Sequence, residues 1–453
     1  MLPAAVAAGH PATVAAGVEI LEDGGSAADA AVAASLASCV AETVMTGLLG
    51  GAHAIHWDGR EAWSLDAFVD VPSGEGAAPV ELTVPFGEEL VHYAVGPGTC
   101  AVPGLPAGLG ALHERFGRLP WTRLLEPALR LARDGVAMPP AHAACLAMLA
   151  PVFTMQGDGR RIYAPAGRPL ETGETLAQPG LAPALELLAD EGPASSYTGT
   201  IAELLAAVEG IPVTHDDLAS YRPRWGEPHA VDYAGRRVLA RRGIAGVLES
   251  LERLPRLRGL EERERIPALL DALDAPALGG HTTNLVAVDA DGNACVLTSS
   301  LGLGTGDFLP GLDVQLNSML GEVDLVREPL RPGERMASMM APTLAIGPDG
   351  LELAIGSAGG TRLRTALVGV AAAILDEGLA VEVAIGRPRV HRAGDTVNAE
   401  PGVDEDALDE LLRRGLEVRR WPALHHYFGG VSAVGRRGAA GDPRRSGHAA
   451  SPR

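Results

Sequence analysis

The chain has 453 residues, 47% of them hydrophobic, with a formal charge of −20 and no lysine anywhere. So acidic a chain gives no electrostatic footing for nucleic acid or an anionic membrane, and neither is expected as a partner. No run of about 18 apolar residues is present, and the opening MLPAAVAAGHP lacks the basic and apolar regions of a secretion signal, so a soluble cytoplasmic protein is expected. Cys39, Cys100, Cys145 and Cys295 lie far apart, without CxxC or metal-ligand spacing. They read as small buried hydrophobes in a reducing compartment, with no metal site and no cofactor.

Residues 10–40 carry Ala, Val, Ile and Leu at three- and four-residue intervals, which predicts a helix broken at Gly24-Gly25 and resumed by the alanine-rich SAADAAVAASLA. Gly47–Gly51 is a loop that permits close backbone approach. Strands follow over Ala52–Trp57 and Glu61–Phe68, then helices over 107–116, 121–134, 181–191 and 200–209, and a short one from His215. Arg236–Arg265 is rich in arginine, but interleaved glutamates balance it within LESLERLPRLRGLEERERI, which favours a solvated helix. Pro267–Gly280 reads as an exposed linker. The segment HTTNLVAVDADGNACVLTSSLGLGTG, His281–Gly306, then has two β-rich runs around Asp291-Gly292, a strong hairpin signal. If Asp289 pairs with Asn293, Thr282 falls opposite Ser300, with Cβ atoms roughly 5 Å apart. Beyond it come a strand at Leu351–Ile355, the turn GSAGGTR, a helix over about 363–377, and a Gly/Arg/Ser tail after Gly435 expected to be irregular. No period of 20–50 residues recurs. The whole reads as a layered α+β protein.

Two kinds of chemistry are suggested by the residues themselves. The turn Gly356–Arg362, between a strand and a helix, presents successive backbone N–H groups, which suit a phosphate or the oxyanion of a tetrahedral intermediate. Thr282 is a candidate nucleophile without a visible base: His425 and His426 are flanked by Tyr427 and Phe428 and read as packing, and there is no Ser-His-Asp or metal motif.

HTTNLVAVDADGN, followed in order by GTG, LNSMLGE, SMMAPTL and GSAGGTR, resembles the gamma-glutamyltranspeptidase family of N-terminal-nucleophile hydrolases. GHPATVAAGVEILEDGGSAADAAVAA, VPGLPAGLGALHERFGRLPW, YFGGVSAV and GDPRRSG extend the likeness over nearly the whole chain. The resemblance implies a four-layer αββα sandwich formed jointly by two subunits of one precursor, cut between His281 and Thr282. The large subunit would be 1–281, with a shortened linker at about 255–281, and the small one 282–453. It makes Thr282 the nucleophile and its freed α-amine the base. That assignment is chemically coherent, because an α-amine with a pKa of roughly 7.7–8.0 can take the hydroxyl proton near neutrality. Ser300 matches a hydroxyl that hydrogen-bonds to the nucleophile, and Gly359 and Gly360 match the oxyanion-binding glycines. Asn317 and Ser338 match substrate-contacting positions.

The departures concern specificity. Phe68 stands where the family has the arginine that grips the γ-glutamyl carboxylate. Gly302, Met319 and Glu322 stand for its asparagine, glutamine and aspartate, and Met339 for its second serine, so only Glu322 keeps its character. Removing a buried arginine–carboxylate pair costs a charged ligand roughly several kcal/mol. The expected activity is therefore hydrolysis or acyl transfer on an amide of a small molecule other than glutathione. A C–C bond hydrolase of the same family and a non-cleaving binding protein are the alternatives.

Overall fold

The computed structural model describes every residue except 87–88, 244, 274–281, 323–324, 327–328 and 361. His281, on one side of the expected cut, and the second half of the expected linker Pro267–Gly280 lie outside the described residues.

Alternation along the strands builds two faces, and the faces build the layers. Among the described residues, one sheet has seven strands in the order His448–Ala450, Ala5–Ala8, Thr283–Val288, Ala294–Ser300, Gly51–Trp57, Ala62–Ala67 and Arg224–Gly226. The other has six: Gly438–Gly441, Gly430–Gly435, Gly350–Ala358, Thr343–Gly347, Arg236–Ala240 and His229–Tyr233. Both are antiparallel throughout. Val286, Val288, Ala294, Val296 and Ile55 of the first meet Leu239, Leu344, Ala354 and Val434 of the second in one apolar cluster between the sheets. Residues one step along point the other way, as a period of two demands. Thus Leu285, Ala287, Cys295 and Leu297 pack beneath the helix Ala27–Ala41. On the far side, Leu353, Ile355, Val431 and Ala433 pack beneath the helix Arg362–Leu375 through Leu363, Leu367 and Val370. The result is the four-layer αββα sandwich.

All fifteen residues of Ala27–Ala41 are buried, which is why alanine dominates it: only a small side chain lets a helix sit this close to a sheet and its neighbours. Ser26 and Asp29 close a capping box at its start, and Asp29 also accepts from the Arg118 and Leu119 amides.

Three expectations change. The arginine-rich stretch is not one solvated helix, because Arg236–Ala240 is an inner strand of the second sheet; helices follow at Val247–Arg253 and Glu262–Ala272. Pro267 belongs to the last of these, where Ile266 and Leu270 pack with Leu408 and Leu411 rather than lying in a loose linker. The tail after Gly435 is ordered: Gly438–Gly441 extends the second sheet, His448–Ala450 pairs with Ala5–Ala8 at the edge of the first, and Arg444 and Arg445 between them are buried. Among the described residues no helix is long and apolar enough to cross a membrane.

Candidate active site

The hairpin pairs Thr283 with Ser299, Asn284 with Thr298 and Val288 with Ala294, and the Asp289 amide donates to the Asn293 carbonyl at 3.0 Å. Carried one step further, that register sets Thr282 opposite Ser300. The Asp289 carboxylate holds the loop by accepting from the Asp291 and Asn293 amides, and ties it to the first-layer helix through the Ala27 amide at 3.1 Å.

Adjacent threonines necessarily serve opposite faces of the sheet. Thr283 and Ser299 turn toward the helices, where the Thr283 hydroxyl donates to Glu42 Oε2 at 2.5 Å and Ser299 meets Thr46 at 2.9 Å. Thr13 donates to the other Glu42 oxygen at 2.6 Å. Glu42 follows the last residue of the alanine helix and is 1% exposed. Burial pushes its carboxyl above the usual range, against the opposing pull of these two hydroxyls and of Arg445.

Thr282 lies on the inter-sheet face, where the second sheet meets it. The strand Gly350–Ala358 ends in Gly359 and Gly360, both at positive φ (130° and 60°), just before the helix Arg362–Leu375. A Cβ on Gly359 would lie 2.7 Å from Gly429 Cα, so space as well as dihedral demands glycine there. The Gly359 N–H donates to Thr282 Oγ1 at 3.2 Å. Arg445, buried in the ordered tail, donates from Nη1 to the Thr282 carbonyl oxygen at 3.1 Å. Ser300 Oγ accepts from the Gly302 amide at 3.1 Å. Thr282, Ser300, Gly359 and Gly360 are thus gathered at one end of the sandwich.

The remaining expected positions form a wall beside them. Gly51 pairs with Ser300, and a Cβ on Gly51 would lie 2.8 Å from the Phe68 ring. Phe68 stacks on His53, with centroids 5.5 Å apart, and shares an apolar cluster with Met319 and Met339. Glu322 is buried with its Oε1 above Gly302, 3.1 Å from where a Cβ would stand. Two expected contact residues are occupied with the backbone. Asn317 accepts from the Ala101 amide at 3.0 Å and donates to the Leu49 and Ala101 carbonyls at 3.0 and 2.8 Å, so it braces three segments. Ser338 Oγ accepts from the Met340 amide at 3.3 Å.

Behind Phe68 lies a charged cluster. Arg335 donates to Asp66 at 2.7 Å and Asp70 at 2.5 Å, and Arg241 reaches Asp66 at 3.3 Å. Burial of Asp66 alone would raise its pKa, but His53 once protonated, together with Arg335 and Arg241, outweighs that and holds it well below the carboxylate range. Burial, assisted by Arg241, lowers His53 to about 3, leaving it neutral at physiological pH.

The sequence reading missed Glu42, Arg445 and Arg335. An acid directly after a long alanine-rich helix was a readable signal for Glu42, and Arg445 stood within the GDPRRSG motif; Arg335, in a turn-rich segment, carried none. His425 accepts from the Tyr427 amide at 3.1 Å and packs on Trp421, a structural position.

The profile of the gamma-glutamyltranspeptidase family matches residues 13–265 and 264–451. The chain belongs to the gamma-glutamyltranspeptidase family. It is 26% identical to the acylase ACY 1 proenzyme of Pseudomonas sp. (strain V22), over 95% of this chain and 89% of that protein. It is 29% identical to the glutathione hydrolase proenzyme of Pseudomonas aeruginosa, over 82% and 80% respectively. Among solved structures, the cephalosporin acylase from Bacillus halodurans superposes with a TM-score of 0.82 at 25% identity, over 99% of this chain and 96% of that one. This member of the gamma-glutamyltranspeptidase family is accordingly an enzyme of the N-terminal-nucleophile hydrolase type, an autoprocessed hydrolase or acyltransferase acting on an amide bond.

Proposed function

We propose that the chain cuts itself between His281 and Thr282 into subunits 1–281 and 282–453, and that Thr282 then attacks the carbonyl of an amide whose acyl group is largely apolar. The observation that carries this reading is the Gly359 N–H, 3.2 Å from Thr282 Oγ1 where the two sheets meet. The freed α-amine takes the hydroxyl proton as Oγ1 attacks. The acyl carbonyl becomes an oxyanion held by the N–H groups of Gly359 and Gly360, with Ser300 aligning the nucleophile. Collapse expels the amine half of the substrate, which leaves with the proton, and water or a second amine then releases the acyl group from Thr282.

The substrate class is supported by the wall. Phe68, Met319 and Met339 offer an α-carboxylate no cationic partner, and placing one against them would strand it; Glu322 is the one charged position kept beside them. Asn317 is already saturated, which removes another polar contact. A non-peptidic amide with an apolar acyl arm fits this lining, as does the acylase name of relatives that match the chain end to end.

Denaturing electrophoresis with N-terminal sequencing tests the cut: two fragments are expected, the smaller beginning at Thr282, and a persistent full-length band would sink the proposal. A panel of p-nitroanilides tests the substrate. Apolar acyl p-nitroanilides should turn over and γ-glutamyl-p-nitroanilide scarcely at all; robust γ-glutamyl turnover would refute the argument from Phe68 and Met319.

A further inference from the structure

A threonine whose own amine serves as base works at neutral pH only if that amine is unprotonated, and an ordinary α-amine has a pKa of roughly 7.7–8.0. We infer that Arg445 acts as a positioning residue that holds the Thr282 carbonyl and, by its charge, keeps the freed Thr282 α-amine in its basic form near pH 7. The inference rests on Thr282 becoming an N-terminus, and it adds a role for a residue outside the nucleophile, its hydroxyl partner and the oxyanion turn.

The geometry is direct. Arg445 Nη1 lies 3.1 Å from the Thr282 oxygen, and covalent geometry keeps the nitrogen and oxygen of one residue about 3 Å apart. The guanidinium is therefore within about 6 Å of the future amine. Its Nη2 lies 3.3 Å from where a Cβ on Gly359 would stand, so the same cation borders the oxyanion turn.

What matters next is whether neighbouring charges cancel it. Asp442, on the same segment, is taken by Arg389 at 2.5 Å and Arg444 at 3.3 Å. From the helix side comes Glu42, whose carboxyl is raised by burial and whose two oxygens are taken by the hydroxyls of Thr13 and Thr283. From the helix Pro140–Phe153 come Cys145, a thiol raised to about 11 by burial, and His142, lowered to about 3 by burial. His425 is lowered by burial too, and Arg362, at the start of the last-layer helix, is a second cation. Arg445 is the charged group in hydrogen-bond contact with Thr282, and a positive charge at that distance disfavours an ammonium. At an effective dielectric near 20, a unit charge about 6 Å away moves such a group down by about one to two pH units.

The absence of lysine supplies the test. A protein made with this lysine-free 453-residue sequence carries, once cut, one primary amine at the start of each subunit, Met1 and Thr282. Labelling wild-type enzyme with a limiting amine-acylating reagent across pH 5 to 10, and weighing each subunit by mass spectrometry, gives both titration midpoints. The Thr282 midpoint should lie about one to two units below that of the N-terminus. Arg445→Met should raise it by a similar amount, moving the acid limb of the kcat profile with it, while Arg445→Lys should keep most of the depression. A wild-type Thr282 midpoint at or above that of the N-terminus overturns the inference, with no variant required. An unchanged midpoint in Arg445→Met does the same. Failure of the underlying reading looks different, since an uncut chain yields no small subunit on the gel.

Discussion

The surroundings of Thr282 and the wall beside it obey opposite chemical logic. Around Thr282 the contacts are polar and specific among the described residues: a glycine N–H on the hydroxyl, a buried guanidinium on the carbonyl, and a carboxyl fixing the next residue from behind. Beside it, Phe68, Met319 and Met339 are apolar, Glu322 is the one carboxyl among them, and Asn317 is turned to the backbone. The apparatus that makes and breaks a covalent bond depends on dipoles aimed at one atom, so single groups there cannot be exchanged. A wall that selects an acyl group needs only shape and polarity, which can drift from a charged clamp to an apolar surface while the hairpin beside it stays intact.

Removing the central group should have the largest effect. Thr282→Ala is expected to abolish both self-cleavage and turnover, read as a single full-length band and a baseline amidase rate. Residual turnover would place the nucleophile elsewhere and dissolve the contrast. Phe68→Ala should act on the wall alone. The ring is 1% exposed, and deleting a buried phenylalanine costs about 3–5 kcal/mol, so the urea midpoint should fall sharply. Cleavage should persist in whatever fraction folds, and the preference among acyl groups should broaden. Loss of self-cleavage in folded Phe68→Ala protein would show that the wall is part of the catalytic apparatus.

Glu42→Ala probes the support behind the nucleophile. It strands the hydroxyls of Thr13 and Thr283, at about 1–3 kcal/mol for a buried group left unpaired, so stability should fall. Self-cleavage should slow, because Thr283 no longer anchors the strand end. Glu42→Gln, which still accepts from one hydroxyl, should recover much of both.

Legibility in the sequence followed the same division. The hairpin was readable down to its register because Asp291-Gly292 fixes the loop and a period of two does the rest, and the alanine helix was readable because its composition already states close packing. Arg236–Ala240 escaped because a strand at the inside of a sheet was hidden in an arginine-rich run whose charges extend to solvent at its ends. The tail after Gly435 escaped because small residues and arginines read as irregular chain, whereas its order comes from pairing with Ala5–Ala8, more than 400 positions away. Glu42 and Arg445 belong to the same class: their roles are set by what lies across the fold. The deviation of the wall was visible as a list of altered residues, but that Asn317 is spent on Leu49 and Ala101 required the coordinates.

The smallest expected effect lies in the charged cluster behind the wall, and it is a pH dependence. Asp66 is held below the usual carboxylate range, burial being outweighed by His53 once protonated, together with Arg335 and Arg241. A carboxyl depressed on folding binds fewer protons in the native than in the unfolded chain, so its stabilisation is present above the unfolded pKa of about 4 and is lost as pH falls below it. Urea midpoints measured between pH 6 and pH 3 should therefore drop more steeply for the wild type than for Asp66→Asn, which has no proton to take up. The variant should be the less stable of the two at pH 6, where Arg335 and Arg241 lose a counter-charge, and the curves should converge toward pH 3. Parallel curves would mean that Arg335 is compensated by Asp70 alone, and that the polar cluster behind Phe68 contributes nothing through Asp66 to holding the wall in place.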